Sequence, residues 1–113
     1  MIYAINEEDK TASVVNNDDA RSDVYIPKLI NYNNQNYNVI RIKEGSFRNN
    51  NNKSIYSLNF PNDSFVQKIE KDSFTFSSIE SLFIPSSIKE LEEGFCRGTL
   101  KLKIITTMPN NKY

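Results

Sequence analysis

Apolar and polar residues recur along this chain with a fixed period. Segments 54–61 and 78–85 share one pattern: Ser-Ile, two variable residues, Leu, one variable residue, a large apolar residue and Pro. A weaker copy ends at Pro109, so successive prolines of the three copies lie 24 residues apart. Self-similarity at a period of roughly 20–50 residues is typical of solenoids, in which each repeat stacks on the next. The pattern therefore predicts stacked coils, each beginning with a short strand.

The segments between these strands also repeat. Each contains a small residue followed by Phe, and the pairs are Ser46-Phe47, Ser73-Phe74 and Gly94-Phe95. The apolar residues before these pairs also correspond between repeats: Phe65 corresponds to Ile88, and Ile69 to Leu91. An earlier unit has a strand block that runs from Val24 to Pro27. Pro27 lies 34 residues before Pro61, so this unit carries about ten extra residues. We expect them to form a hairpin in the Asn-rich segment 31–38, preceded by a repeat strand over 24–30.

These repeats resemble the leucine-rich repeats of BspA-like surface proteins, which read roughly Ser-Ile-x-x-Ile/Leu-x-Ile-Pro-x-Ser-Ile-x-x-Ile-x-x-x-Ala-Phe. Residues 78–95 fit almost throughout, 54–74 fit well, and 24–47 and 102–109 fit in part. The family's Ala before Phe is replaced here by other small residues, Ser46, Ser73 and Gly94. The resemblance implies a right-handed leucine-rich-repeat solenoid and a role in adhesion, through binding to a host or matrix component.

The predicted fold is a β-rich solenoid of the α/β horseshoe class. Short parallel strands should be joined by irregular or one-turn helical connections. Two apolar runs, 2–5 and 11–15, flank a polar turn and predict an N-terminal β-hairpin that caps the first coil. The predicted divisions are a cap and loop over 1–23, repeats over 24–53, 54–77 and 78–101, and a partial repeat over 102–113.

Strand alternation predicts which side chains face the core. Expected to point inward are Leu58, Phe60, Leu82, Ile84, Thr106 and Met108. Ile105 and Thr107 should then point outward. The outward residues of the earlier strands form the predicted binding surface, on which aromatic side chains would anchor a partner. This surface comprises Asp23, Tyr25, Ser57, Asn59, Ser81 and Phe83.

The composition argues against catalysis and against nucleic acid as a partner. Fourteen basic and fourteen acidic residues cancel, so no excess of positive charge attracts phosphates. The chain has no His, which removes His-based triads and most zinc sites, and three Gly with no phosphate-binding loop. Cys96 should be a small buried apolar residue, not a nucleophile. We expect no cofactor and no bound metal. A hydrolase using carboxylates such as Glu92 and Glu93 is the weakest alternative.

The partner and the location stay open at this level. A protein or glycan partner suits an exposed sheet, and the alternative is an intracellular scaffold or a fragment of a longer repeat protein. The family resemblance favours the cell surface, although the sequence shows no signal peptide, no anchor and no apolar run long enough for a membrane span. Asn52 and Asn62 begin glycosylation sequons, whose use depends on export. The open C-terminal repeat predicts self-association through its edge strand.

Overall fold

The computed structural model describes residues 1–15, 22–48, 55–74, 79–96 and 104–107. Within these residues the chain forms ten strands and no helix. Four strands make a parallel sheet, and six make a second sheet of mixed direction. The strands are β1 (Tyr3–Asn6), β2 (Thr11–Val14), β3 (Ser22–Tyr25), β4 (Leu29–Tyr32), β5 (Gln35–Ile42), β6 (Ile55–Asn59), β7 (Lys68–Ile69), β8 (Ser81–Ile84), β9 (Glu90–Leu91) and β10 (Ile104–Thr107).

The parallel sheet is built from the strand blocks of the repeats, in the order β10-β8-β6-β3. Its register aligns Val24 with Leu58 and Leu58 with Leu82, as the repeat spacing predicts. The last strand departs from that spacing, because Leu82 pairs with Ile105 and not with Thr106. The prediction that Thr106 occupies the position equivalent to Leu82 is therefore wrong by one residue. The side chains of β10 and the whole of Met108 lie outside the described residues.

The mixed sheet has the order β1-β2-β5-β7-β9, and β4 also pairs with β5. The N-terminal hairpin is present as antiparallel β1 and β2, and β2 continues into a parallel pairing with β5. The Asn-rich insertion is the hairpin β4–β5. Asn33 and Asn34, at its turn, both have positive φ, a conformation that Asn tolerates better than most residues. The expected strand over 24–30 is divided, because β3 ends at Tyr25 and β4 begins at Leu29.

The connections between repeats, expected to be irregular or to contain one helical turn, include a two-residue strand followed by a turn. Lys68–Ile69 and Glu90–Leu91 pair in parallel with each other, and each is followed by a hydrogen-bonded turn. The backbone N–H of Phe95, for example, donates to the carbonyl of Glu92 at 3.1 Å. Within the described residues the fold is therefore a β-rich repeat fold whose second sheet is mixed, and the helical part of the predicted class is absent there.

One hydrophobic cluster takes side chains from both sheets. The predicted inward residues Leu58, Phe60, Leu82 and Ile84 are all buried. One alignment between repeats is corrected: Phe65 is exposed, and the adjacent Val66 is the buried residue at that position. Leu91 is also exposed, although its strand partner Ile69 is buried. The core comprises Ala12, Val14, Val24, Ile26, Tyr37, Val39, Ile42, Phe47, Leu58, Phe60, Val66, Ile69, Phe74, Ile79, Leu82 and Ile84.

The small residues before the repeated Phe allow consecutive turns to bond to one another. Ser46 and Ser73 are buried, and each hydroxyl is within hydrogen-bond distance of a carbonyl three residues earlier in its own turn. Each also reaches a carbonyl on a neighbouring coil: Val14 at 2.8 Å for Ser46, and Lys43 at 3.1 Å for Ser73. A serine in place of the family's alanine is therefore satisfied here, because buried hydroxyls need hydrogen-bond partners.

Carboxylates on the outside of the mixed sheet also connect neighbouring coils. Glu70 Oε1 accepts a hydrogen bond from the backbone N–H of Glu44 at 3.1 Å, and Glu92 Oε1 accepts one from Lys71 at 3.0 Å. The Lys68 ammonium lies 3.5 Å from Glu92 Oε2. The hydrogen bond from the Lys71 N–H is the main cause that lowers the pKa of Glu92 below its ordinary value of 4.5. Glu92 therefore holds adjacent turns together in its ionised form.

The lowered pKa of Glu92 predicts an acid-sensitive contribution to stability. A carboxyl whose pKa is lower in the folded state stabilises the fold above its unfolded-state pKa, and this contribution is lost as the pH falls through the folded-state pKa. We expect Glu92→Gln to lower the melting temperature at neutral pH and to converge with the unmodified protein in acid. Thermal melts from pH 7 to pH 2 measure this. Glu93→Gln, at the exposed neighbouring position, controls for the change in net charge. The prediction would be contradicted if the melting temperatures of Glu92→Gln and the unmodified protein differed by the same amount at every pH.

Candidate functional site

The candidate site is the outer face of the parallel sheet, which we define by the six predicted residues Asp23, Tyr25, Ser57, Asn59, Ser81 and Phe83. Parallel pairing arranges them in rows across the strands, since residues in register lie side by side about 4.8 Å apart. Ser57 has Asp23 as its neighbour on one side and Ser81 on the other. Tyr25 is beside Asn59. Asp23 and Tyr25 are exposed, and the other four are half-buried.

Three of these side chains form a hydrogen-bonded network. The Ser57 hydroxyl donates to Asp23 Oδ1 at 2.7 Å, and Asn59 Nδ2 donates to the Ser57 Oγ at 2.8 Å. Asn59 Nδ2 also lies 3.5 Å from the carbonyl of Val24 on the neighbouring strand. Both ends of the network are therefore fixed across β3 and β6. Polar groups held in this way lose little conformational freedom when a partner binds, which favours affinity.

Two aromatic side chains belong to the same face. The Tyr25 side chain is 55% exposed, directly beside the Asn59 end of the network. Phe83 is half-buried and has Thr106 of β10 as its register neighbour. Continuing the β6–β8 register by one residue places Asn59 between the strands that carry Tyr25 and Phe83. The face therefore combines hydroxyl, amide and carboxylate groups with two partly accessible rings.

Comparison with solved structures finds a similar fold. The crystal structure of a leucine-rich repeat protein from Bacteroides ovatus ATCC 8483 superposes with a TM-score of 0.76 over 92% of this chain, at 24% sequence identity. The chain has a β-rich leucine-rich-repeat type of fold. It spans 27% of the length of that Bacteroides protein. No protein-family model matches the sequence, and no curated protein matches it. Membership of the BspA-like family stays a prediction.

Sequence reasoning missed a cluster in the loops that follow β3 and β6. The Lys28 ammonium lies 2.9 Å from Asp63 Oδ2 and 4.9 Å from the centre of the Phe65 ring. Its hydrogen bond lowers the pKa of Asp63, so that carboxyl stays charged. Lys28 follows Pro27, and Asp63 follows Pro61 by two residues. Opposite charges just after equivalent prolines of neighbouring repeats were the signal that could have revealed this pair.

The chemistry of the described residues gives little support to catalysis. No group of three or more His, Cys, Asp or Glu among them is placed to hold a metal ion. Glu92, half of the acidic pair considered for hydrolysis, bonds the Lys71 backbone and has a lowered pKa, whereas a general acid works best with a raised one. Cys96, which was expected to be buried, is partly buried and packs against the core. No helix in the described part of the chain is long and apolar enough to cross a membrane.

Proposed function

We propose that this chain is a non-catalytic binding module of the leucine-rich-repeat type, which holds a protein partner on the outer face of its parallel sheet. The observation that carries the proposal is the fixed Asp23–Ser57–Asn59 network beside the exposed Tyr25 ring. Tyr is among the residues most often found at energetically dominant interface positions. Its two rotatable side-chain bonds limit the entropy lost when it is immobilised by a partner.

The rigidity of the scaffold supports the same proposal. The strands that carry the face also bury Val24, Leu58 and Leu82 on their other side, so the face cannot move without disturbing the core. The Bacteroides protein supports the type of fold, and adhesion at a cell surface enters only through the resemblance of the repeats to BspA-like proteins. An adhesive role on a cell surface is the version of this function that we favour.

Site-specific photocrosslinking tests the proposal. The photoreactive analogue benzoylphenylalanine replaces Phe83 on the outer face or, as a matched control, the exposed Phe65 in the adjoining loop. Each protein is incubated with an extracellular-matrix preparation and with an extract of the cells that produce it. We expect a discrete adduct from position 83 that excess unlabelled protein suppresses, and little from position 65. The Asn59→Ala change, which removes one end of the network, should weaken the adduct.

The same experiment separates the alternatives. Equal adducts from both positions, or none from either, would contradict a partner on the outer face. An adduct obtained only from the cell extract would favour the scaffold role over adhesion. An adduct that disappears after enzymatic deglycosylation of the partner would indicate that the face recognises a glycan.

A further inference from the structure

The first strand of the mixed sheet has a neighbouring strand on one edge only, as far as the described residues go. β1 pairs with β2, and no strand pairs with its other edge within the described residues. The Val15 N–H donates to the carbonyl of Ile2, so the backbone of Ile2 points toward β2. Backbone groups of successive strand residues point to opposite edges. The N–H and C=O groups of Ala4 therefore also face β2, and those of Tyr3 and Ile5 face outward.

The chemistry of β1 is permissive for edge pairing. Natural sheets protect their edges with charged residues or proline, which discourage pairing with other chains. Among the other edge strands, β3 contains Asp23 and β9 contains Glu90, whereas β4 (Leu-Ile-Asn-Tyr) and β10 (Ile-Ile-Thr-Thr) lack charge and proline, as β1 does. The sequence of β1, Tyr-Ala-Ile-Asn, contains neither a charge nor a proline. The edge therefore presents unprotected peptide groups.

Apolar surface adjoins this edge. A cleft of about 770 Å³ is lined by Tyr3 and Ile5 of β1 and by Ile30 and Tyr32 of β4. Glu7 and Asn31 complete its lining. The exposed apolar side chains Met1, Ile2, Leu29 and Tyr32 belong to the two hairpins of the mixed sheet. Exposed apolar side chains beside an apolar cleft are typical of an interaction site.

We propose that a second copy of this chain pairs its β1 antiparallel to β1 of the first, about a two-fold axis that passes beside Ala4. The outward backbone groups fix this register. Tyr3 of each copy exchanges hydrogen bonds with Ile5 of the other, and the two Ala4 residues form the intervening non-hydrogen-bonded pair. In this register Tyr3 and Ile5 of both copies form hydrogen bonds, and each contact occurs twice about the two-fold axis, as an isologous interface requires.

The charges and the apolar side chains are compatible with this arrangement. The register places Glu7 opposite residue 1 of the second copy, so no two acidic residues stand directly across from each other, and the chain carries no net charge to repel a copy. Tyr3 and Ile5 of the second copy extend the apolar strip of Tyr3 and Ile5 in the first. The dimer forms at the mixed sheet, so it is independent of any partner on the outer face.

Sedimentation equilibrium of the full chain tests the dimer. We expect a concentration-dependent dimer for the unmodified protein. Ala4→Lys places like charges directly opposite each other at the axis and should leave only monomer, because Ala4 is exposed and the change does not affect the core. Gln35→Lys adds the same charge at an exposed position on the other hairpin and should leave the dimer intact. Circular dichroism confirms that each variant is folded.

Disulfide trapping tests the register. In a Cys96→Ser background, Ala4→Cys should give a covalent dimer under mild oxidation, because Cα atoms of a non-hydrogen-bonded pair lie about 4.5 Å apart, within disulfide range. Asn6→Cys, on the same exposed side of β1, faces Ile2 of the second copy and should not crosslink. A strictly monomeric protein, or equal trapping at both positions, would overturn the proposal. So would a dimer that resists Ala4→Lys and is lost in Thr106→Lys, which would place the interface at β10.

Discussion

Replacing Phe74 with alanine should lower the free energy of unfolding by about 3–5 kcal/mol, the range for deleting a fully buried aromatic side chain. Phe74 has no exposed surface, and its ring stacks on Phe47 with centroids 5.1 Å apart and planes 4° from parallel. Such pairs add about 0.5–1.5 kcal/mol beyond the burial itself. The two rings come from consecutive turns, so the substitution also removes a contact between neighbouring coils.

Phe65→Ala is the matched control for this measurement. It deletes the same side chain nine positions earlier, where the ring is 38% exposed and contacts the Lys28 ammonium. Cation–π contacts at exposed sites are worth about 0.5–1 kcal/mol, and the Lys28–Asp63 ion pair remains without the ring. We expect a loss of about 1 kcal/mol in urea unfolding at neutral pH. Similar losses of unfolding free energy for the two variants would mean that the Phe that recurs in each repeat does not belong to the core.

The parallel sheet was predictable because two local signals agree there. Proline cannot donate to a strand ladder, so Pro61 and Pro85 mark where β6 and β8 end. Alternation then assigns Leu58 and Leu82 to the core, since a slip of one residue would turn every side chain to the other face. The N-terminal hairpin was predictable from two apolar runs around a polar turn. No comparable signal exists for β7 and β9, because two residues are too few to show alternation.

Spacing failed where the connections differ in length. Neighbouring repeats are offset by 24 residues at Leu58 and Leu82, by 22 at Ile69 and Leu91, and by 23 at Leu82 and Ile105. Loops absorb such differences at little cost in free energy, whereas the register of each sheet is fixed by its own hydrogen bonds. The 24-residue period of the prolines therefore misplaced Thr106, and aligning Phe65 with Ile88, 23 residues away, misplaced Phe65 where the sheet has an offset of 22.

The side of the sheet on which each strand residue lies was predictable, and the hydrogen bonds between the side chains were not. Alternation alone assigned Asp23, Ser57 and Asn59 to one side of the sheet. The offset of 34 residues between Pro27 and Pro61 already places Asp23 beside Ser57, as the structure has them. The hydrogen bonds of Ser57 to Asp23 and of Asn59 to Ser57 depend in addition on side-chain rotamers, which residue spacing does not specify.

Leu82→Ala should cost about 2–5 kcal/mol of unfolding free energy, whereas Ser81→Ala should change it by no more than about 0.5 kcal/mol. The two residues are adjacent in β8, so the pair tests the assignment of faces directly. Leu82 is fully buried, and its neighbour in register on β6 is the equally buried Leu58. Its removal leaves a cavity that the stacked coils cannot close without moving Leu58.

Ser81 has Ser57 as its neighbour and is half-buried on the outer face. Its replacement by alanine removes a hydroxyl and leaves no cavity. The two variants are compared by urea unfolding. The comparison requires that the slope of unfolding free energy against urea concentration is the same in each variant as in the unmodified protein. Equal losses would mean that the inner and outer faces of the parallel sheet are wrongly assigned. The binding proposal would then fail as well, because Tyr25, Asn59 and Phe83 owe their outward positions to the same alternation that buries Leu58 and Leu82.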